Sequence, residues 1–586
     1  MDMNKLCHNK LKLHIAHLIS ESLTEFIDDL NILLIYSKIG ITPDWKYGHY
    51  AFPCFNLDAK IKMSSNEIAA KVKDTIRISD CIENIEAKGP YVNFQLSSKG
   101  LGFYIGDEVL NGDYFNYQFF DTIPRTMIEY SQPNTHKELH VGHMRNLCLG
   151  DALIKIHKYC GYDIISSTFP GDVGTHVAKC LWYLMYINTE PIPQIDKGAW
   201  LGSLYSKAHI KLEDEKDPQL IEDYKKQISL ILSQIEKKEG KFYELWLTTR
   251  EWSIQLMNEI YEWAEVTFDK WYWESEVDSQ SVKYIKENLQ NGVFIESNNT
   301  IGVDLTEYNL GFCMLIKSDG NGLYATKDLE LARRKFNDYK IEKSVYIVDK
   351  RQSYHFSQVF KVLELLGFKF ATNCFHLGYD YVELPSGAMS SRKGNIVPLM
   401  DLIEQMRNTI KKYYLDKYLD EMTDPEITSI TEMISKGAIR YGMLKIDPNK
   451  KIIFDMMEWL KLDGDSGPYL QYTLVRINSV IQKININNNI IHDWSLLSEE
   501  IEVNILFKMS EFNGQIVQSC IEYKPNILCN YLYELCKMFN NYYNSVSIKN
   551  TTDSTLQLTR LMLIKCLKQI LSKGFELVGI PIPMKM

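Results

Sequence analysis

The chain has 586 residues, 45% of them hydrophobic, and a formal net charge of -10 at neutral pH. That length gives room for about three to four ordinary domains with cores of their own, and the acidic balance excludes blanket attraction to polyanions, so a nucleic-acid partner must be met by locally basic faces. The start, MDMNKLCHNKLKLHIAHLISESLTEF, lacks both a continuous signal-peptide core and the acid-free, Arg-rich character of a transit peptide, and no run of about twenty apolar residues follows. A cytoplasmic location without a membrane partner is expected. The 12 cysteines are scattered without a CxxC pair, as reduced core thiols are, and no zinc or other structural metal is expected.

In chain order, residues 1 to about 110 read as an appended α+β domain, with amphipathic helices at Ile15 to Leu34 and Asn66 to Thr75 and a strand around Tyr91, Val92, Asn93 and Phe94. From Arg125 the pattern changes to strand (TMIEY), turn (SQPN), helix (Met144 to Cys160, closed by Gly161) and strand (IISST). This is a βαβ unit with a right-handed parallel crossover, and the expected core is Rossmann-like, over residues 111–400. Charged helices from about 186 to 290 interrupt it, and parallel-sheet features resume near GFCMLIKSDG and continue through KSVYIVD and CFHLGYD. From 401 to 586 helical periodicity dominates, with Leu470, Leu474, Ile477 and Ile481 on one apolar stripe, which predicts an all-α bundle. The NINNN stretch near 485 reads as a brief Asn-rich loop.

Two stretches carry chemistry. In SQPNTHKELHVGHMRN, Ser131 to Asn146, a strand gives way to a helix whose N-terminus presents N-H groups and a positive dipole end to an anion. Neither GxGxxG nor GxxxxGK[ST] is present there. Gly142 leaves room for a flat base, and His140 and His143 can donate to phosphate oxygens, which suits ATP bound for attack at its α-phosphorus. Alone, HxxH is equally half a metal site or an incidental helix start. The second stretch, GAMSSRKGN from Gly387 to Asn395, is a Ser/Gly loop carrying Arg392 and Lys393, able to clamp a departing pyrophosphate. Alone it is a solvated turn; in this order, on either side of a split sheet, the pair is specific.

The two stretches resemble the HIGH and KMSKS signatures of the class I aminoacyl-tRNA synthetases. The segments IEYSQPNTHKELHVGHMRN, GDVGTH, SDGNGLYATKDLELA, QSYHF, AIRYGMLK, GDSGPYLQYTLVRI and the ending LVGIPIPMKM are together similar, in order, to the arginyl-tRNA synthetases. The resemblance implies arginine activation with Mg-ATP, transfer to the terminal adenosine of tRNA(Arg), and no DNA partner. It implies a multidomain α/β chain, with an N-terminal domain on the tRNA D-loop and a C-terminal helical domain on the anticodon. It assigns ATP contact to His140, Gly142, His143, Met389, Ser390, Ser391 and Lys393. Arginine contact falls to Glu129, Gln132, Asn134, His143, Tyr324, Asp328 and Gln352, and tRNA contact to Asn93, Tyr469, Gln471, Tyr472, Arg476 and Met586.

Within that assignment Tyr324 and Asp328 stand one helical turn apart, and a carboxylate suits a guanidinium that offers parallel N-H donors. Gln132 stands where the family often has serine, and Val173 where it often has tryptophan. The KMSKS-like stretch, Ala388 to Arg392, has its final lysine replaced; Lys137 or Lys393 is expected to take that role. A small nucleotidyltransferase also uses HxGH but needs no chain of this length, and an inactive relative kept as a tRNA-binding scaffold would not need both histidines, Asp328 and the loop cations together.

Overall fold

The computed structural model describes residues 9–24, 26, 31–55, 57, 63–385, 387–388, 398–418, 420–484 and 491–586. The chain divides into two compact units, residues 1–122 with 461–586, and residues 123–460.

The first unit joins the two ends of the sequence. Its four-stranded antiparallel sheet pairs Tyr50–Pro53 and Ile82–Lys88 with the central strand Tyr91–Leu96. The periodicity that suggested one helix from Ile15 to Leu34 resolves into two, Lys10–Ser22 and Ile32–Lys38, the second capped by Asn31, whose side chain accepts from Leu33 N-H. The sheet domain is fastened to the C-terminal helices by aromatic packing: Gly102 and Gly106 lie so close to the Trp494 ring that a Cβ at either would overlap it, and the Trp494 indole donates to Asp107 at 2.8 Å. Leu470, Leu474 and Ile477 are fully buried.

The second unit is built on a five-stranded parallel sheet of β1 (Thr126–Glu129), β2 (Ile164–Thr168), β3 (Lys270–Trp271), β4 (Lys343–Asp349) and β5 (Cys374–Tyr379), in the order β5-β4-β1-β2-β3. The chain winds outward from β1 in one direction and then returns to β4 and β5 on the other side, so the topological switch lies between β1 and β4, where Glu129 is in register with Tyr346. Ligands of such sheets bind beyond the carboxyl ends at that switch. Helices α1 (Val141–Tyr159), α2 (Lys241–Trp263), α3 (Tyr324–Tyr339), α4 (Ser353–Leu365) and α5 (Asp424–Leu444) complete the frame. In α/β units the connecting helices run back against the strands, which brings the first turns of α1, α3 and α4 to the sheet's carboxyl edge.

Four sequence expectations are corrected. GFCMLIKSDG does not join the parallel sheet: Phe312–Ile316 pairs antiparallel with Thr300–Asp304 in a separate three-stranded sheet. Phe312 and Met314 are exposed while Cys313 and Leu315 are buried, the one-sided alternation of an antiparallel strand. The insertion ends before 290, because β3 already returns to the parallel sheet beside Ser167 and Thr168. A strand does follow residue 400, since Ile452–Ile453 pairs with Val382–Leu384. The boundary drawn near 400 also differs from the division after 460. Helix α5 is held to α1 by a buried Arg440–Asp151 ion pair, which binds residues up to 444 to the parallel-sheet unit. No described helix is long and apolar enough to cross a membrane.

Candidate active site

Helix α1 begins at Val141, three residues before the expected Met144, because His140 acts as its cap. The His140 Nδ1 accepts from Gly142 N-H at 3.1 Å, and the His143 Nδ1 accepts from His140 N-H at 3.0 Å, a reciprocal box that satisfies donors at the helix start. Burial pushes the His140 imidazole down to about 4, and the charge of Lys137 adds to this. His143 is pushed well below its ordinary value by burial first, then by His140 and Lys137. Both rings are therefore neutral at physiological pH. With each Nδ1 occupied as an acceptor, the remaining proton is assigned to Nε2, so each ring carries one N-H donor on its other edge. The rings lie side by side, tilted 42° to one another, 4.0 Å between centroids.

Gly142 has a structural reason of its own. A Cβ there would lie 2.9 to 3.0 Å from the His140 ring, so the missing side chain makes room for the capping imidazole. Lys137 stands over the Tyr205 ring at 4.8 Å, close enough to the histidines for its charge to depress both.

The approach to this helix is held by residues that no motif announced. Asn146 on α1 donates to the Ile347 carbonyl of β4 at 2.8 Å and to Tyr379 of β5 at 3.2 Å, and its oxygen accepts from Ser131 N-H at 2.6 Å. One amide thus ties three strand ends at the switch. Ser131 and His136 have φ of 54° and 60°, in the left-handed region; the His136 ring is fully buried between Thr135 and Thr249, at 2.9 and 2.8 Å. Buried Arg145 donates to the carbonyls of Asp380, Tyr381, Asp447 and Pro448.

The second motif, Gly387 to Asn395, is described only in the backbone of Gly387–Ala388, which pairs with Val382–Leu384. Met389, Ser390, Ser391, Arg392 and Lys393 lie outside the described residues. Its two flanks are fixed. Arg145 grips the residues before it, and Pro398 after it forms an antiparallel bridge with His140, reinforced by Leu399 N-H donating to Leu139 O at 2.9 Å. The chain leaving that stretch therefore abuts the HVGH cap.

The charged residues read as arginine ligands fall into two groups. Glu129, at the end of β1, is 3% exposed and forms an ion pair with fully buried Lys335, while its other oxygen accepts from Gln132 at 3.2 Å. Lys335 Nζ also lies 3.8 Å from the Tyr346 ring centroid. Glu129, expected to contact arginine, is thus held at a buried ion pair at the end of β1. Asp328, on the second turn of α3, instead has its carboxylate at the surface of the site, 16% exposed, with Oδ2 at 2.6 Å from His355 Nε2 on α4. Tyr324 opens α3 and is 72% exposed. Gln352 stands at the N-cap position of α4 and is exposed. Asn134 bridges Gly171, where a Cβ would collide with its amide oxygen. Beside it Glu274, 7% exposed, pairs with Lys327 at 2.7 Å.

In the first unit, Tyr469, Tyr472 and Arg476 share the helix Gly467–Lys483, where the Arg476 guanidinium stacks 4.8 Å from the Tyr472 ring. Gln471 points the other way. It is fully buried and donates to the Pro581 carbonyl at 2.8 Å, so it secures the terminal segment and its side chain has no access to RNA. Asn93 and Met586 are 7% and 8% exposed.

Comparison with known proteins accounts for this arrangement. The catalytic domain of "tRNA synthetases class I (R)" matches residues 119–456, the "Arginyl tRNA synthetase N terminal domain" residues 13–96, and the "DALR anticodon binding domain" residues 470–586. An arginine–tRNA ligase of Bdellovibrio bacteriovorus is 46% identical over 99% of this chain and all of its own length, and one of Clostridium botulinum is 34% identical over 95% and 97%. The arginyl-tRNA synthetase of Thermus thermophilus has the same fold, with a TM-score of 0.79 at 24% identity over 98% of this chain and all of that one. With three matching domains in order along a chain that carries the HVGH helix start at its sheet switch, the protein belongs to the arginyl-tRNA synthetases, a class I family.

Proposed function

We propose that the chain activates L-arginine with ATP, releasing pyrophosphate, and transfers the arginyl group from the adenylate to the terminal adenosine of tRNA(Arg). The arginine carboxylate attacks the α-phosphorus in line, and a ribose hydroxyl of the tRNA then attacks the adenylate carbonyl and expels AMP. Neither step needs a nucleophilic side chain, so orientation and charge stabilisation supply the acceleration. The Nε2-H donors of His140 and His143 meet the phosphates, whose charge the α1 N-terminus also favours. Lys137, near both rings, and Lys393 of the second stretch are the candidates for stabilising the departing pyrophosphate, with Met389, Ser390, Ser391 and Arg392 covering the nucleotide.

Asp328 receives the guanidinium, beside Tyr324, while Asn134 and Gln352 hold the α-amino and carboxylate end. Asn93, Tyr469, Tyr472 and Arg476 are the tRNA contacts, from a sheet domain on the D-loop and the helices after residue 461 on the anticodon. Magnesium is read as entering with ATP. We read the chain as cytoplasmic, with neither membrane nor DNA as partner.

What supports this reading above all is the placing of a solvent-reachable carboxylate, Asp328, at the same sheet edge as two neutral histidine donors. The test is pyrophosphate exchange with each of the twenty amino acids, with and without tRNA. Exchange with arginine alone, and only when tRNA is present, is expected, the tRNA dependence being induced fit. Exchange with another amino acid would overturn the specificity; robust exchange without tRNA would overturn only the dependence.

A further inference from the structure

The carboxylate assigned to the guanidinium is not free in this structure. Asp328 Oδ2 lies 2.6 Å from His355 Nε2, on a ring that is three-quarters buried at the head of α4 and meets Phe356 edge-on, 5.4 Å between centroids. From this geometry we infer that His355 is a positioning residue for arginine: as a neutral ring it holds one oxygen of Asp328 and aims the other at the guanidinium, and as an imidazolium it repels that cation. The inference rests on the reading of Asp328 as the arginine acceptor.

The electrostatic surroundings leave His355 poised to titrate. Burial pulls its imidazole down, but the hydrogen bond and the charge of Asp328 outweigh burial, and the net direction is upward. The other charged groups near it are engaged elsewhere. On α3, Lys327 pairs with Glu274 and Asp278. On the turn before α4, Lys350 pairs with Asp380 and Arg351 with Asp349. On β5, His376 packs on Phe356, bonds the Val348 carbonyl at 3.1 Å and is pushed down, chiefly by burial. Asp328 is thus the anion that sets the protonation of His355.

A guanidinium arriving at Asp328 removes that support. A second cation on the same carboxylate favours the neutral ring, so arginine binding expels the imidazole proton wherever free His355 is charged. By linkage, arginine affinity rises with pH through the raised value of His355 and levels off above it. The α-amino group of arginine titrates toward the alkaline end of the range, where loss of its charge would weaken binding, so its effect has the opposite sign.

The experiment compares wild type, His355→Gln, His355→Ala and Asp328→Asn. Arginine KM is measured in tRNA-saturated pyrophosphate exchange from pH 6 to 8.5, and proton release by calorimetry of arginine binding in two buffers of different ionisation enthalpy. In wild type, KM should fall several-fold as pH rises and up to one proton should be released at the acid end of that range. His355→Gln keeps a donor but no charge, so its KM should be flat with pH and its proton release absent. His355→Ala should raise KM by about tenfold at pH 8, the loss of one charge-assisted bond, with ATP KM unchanged.

A Gln variant that keeps the wild-type pH profile, or wild type that releases no proton, would overturn the inference, and the wild-type calorimetry stands even if a variant fails to fold. If instead Asp328→Asn leaves arginine kcat/KM within about threefold, the Asp328 reading itself has failed. That outcome is distinguishable from failure of the His355 role alone.

Discussion

At the start of α1, His140, Gly142 and His143 hold one another through bonds spanning two or three residues. At the starts of α3 and α4 the charged contacts reach much further: 27 residues from Asp328 to His355 and 53 from Lys327 to Glu274, while Glu129 meets Lys335 from the opposite side of the insertion. The side proposed for the nucleotide is a local device, complete once one turn of helix has formed. The side proposed for the amino acid forms only when the sheet has closed around the switch between β1 and β4. The first should tolerate change in the core and fail by its own residues; the second should fail whenever a distant partner is lost.

The largest break in that comparison is at Lys335. Lys335→Met leaves the Glu129 carboxylate buried without its cation, and the unit of residues 123–460 should lose about 3 to 5 kcal/mol in urea unfolding. Adding Glu129→Leu should recover part of it, since no charge then remains to be desolvated. A loss below about 1 kcal/mol would show that the pair is not the keystone of the arginine side.

On the local side, if His140 meets the phosphates as proposed, His140→Ala should lower kcat for pyrophosphate exchange by roughly 10²- to 10³-fold, with arginine KM hardly moved. Equal losses in arginine KM would mean that the two sides are not separable.

Acid provides a graded test. The His136 and His176 rings are held near 3 and His140 near 4 by burial, so they are neutral when folded. Unfolded, each binds a proton below about 6.5, so this stability is fully present above that pH and is lost as pH falls toward 3 to 4. Each ring contributes about 1.4 kcal/mol per pH unit in that window. His136→Gln should flatten the dependence of unfolding free energy between pH 6 and 5 by that amount; an unchanged slope would mean His136 is protonated in the fold. The smallest effect belongs to Gly142→Ala, whose Cβ would press on the His140 ring. About 1 kcal/mol of stability and a several-fold rise in ATP KM are expected, arginine KM staying constant.

The same contrast explains what the sequence could disclose. The strand–turn–helix around HVGH is legible because its periodicity and turn residues are adjacent in the chain; its cap is not, since histidine is not among the usual N-cap residues, and periodicity alone starts the helix three residues late. Phe312–Ile316 was misplaced because a short apolar run does not disclose which sheet it joins. The ion pair of Glu129 was hidden for the same kind of reason: its partner, Lys335, is brought in only by folding. Asn146 and Arg145 gave no signal, because an amide or guanidinium that bonds main-chain carbonyls from distant segments follows no spacing rule. His355 stood in QSYHF, but its bond to Asp328 could not be read there.

The most direct test of the account is Asp328→Asn, which keeps the volume but offers the guanidinium one oxygen and a repelling amide. Activation kinetics with saturating tRNA should show arginine kcat/KM reduced by about 2 to 5 kcal/mol, roughly 30- to several-thousand-fold, while ATP kcat/KM at saturating arginine changes little. An arginine kcat/KM within about threefold of wild type, a difference below roughly 0.7 kcal/mol, would remove Asp328 from the arginine site and contradict the assignment on which the amino-acid side of this structure has been read.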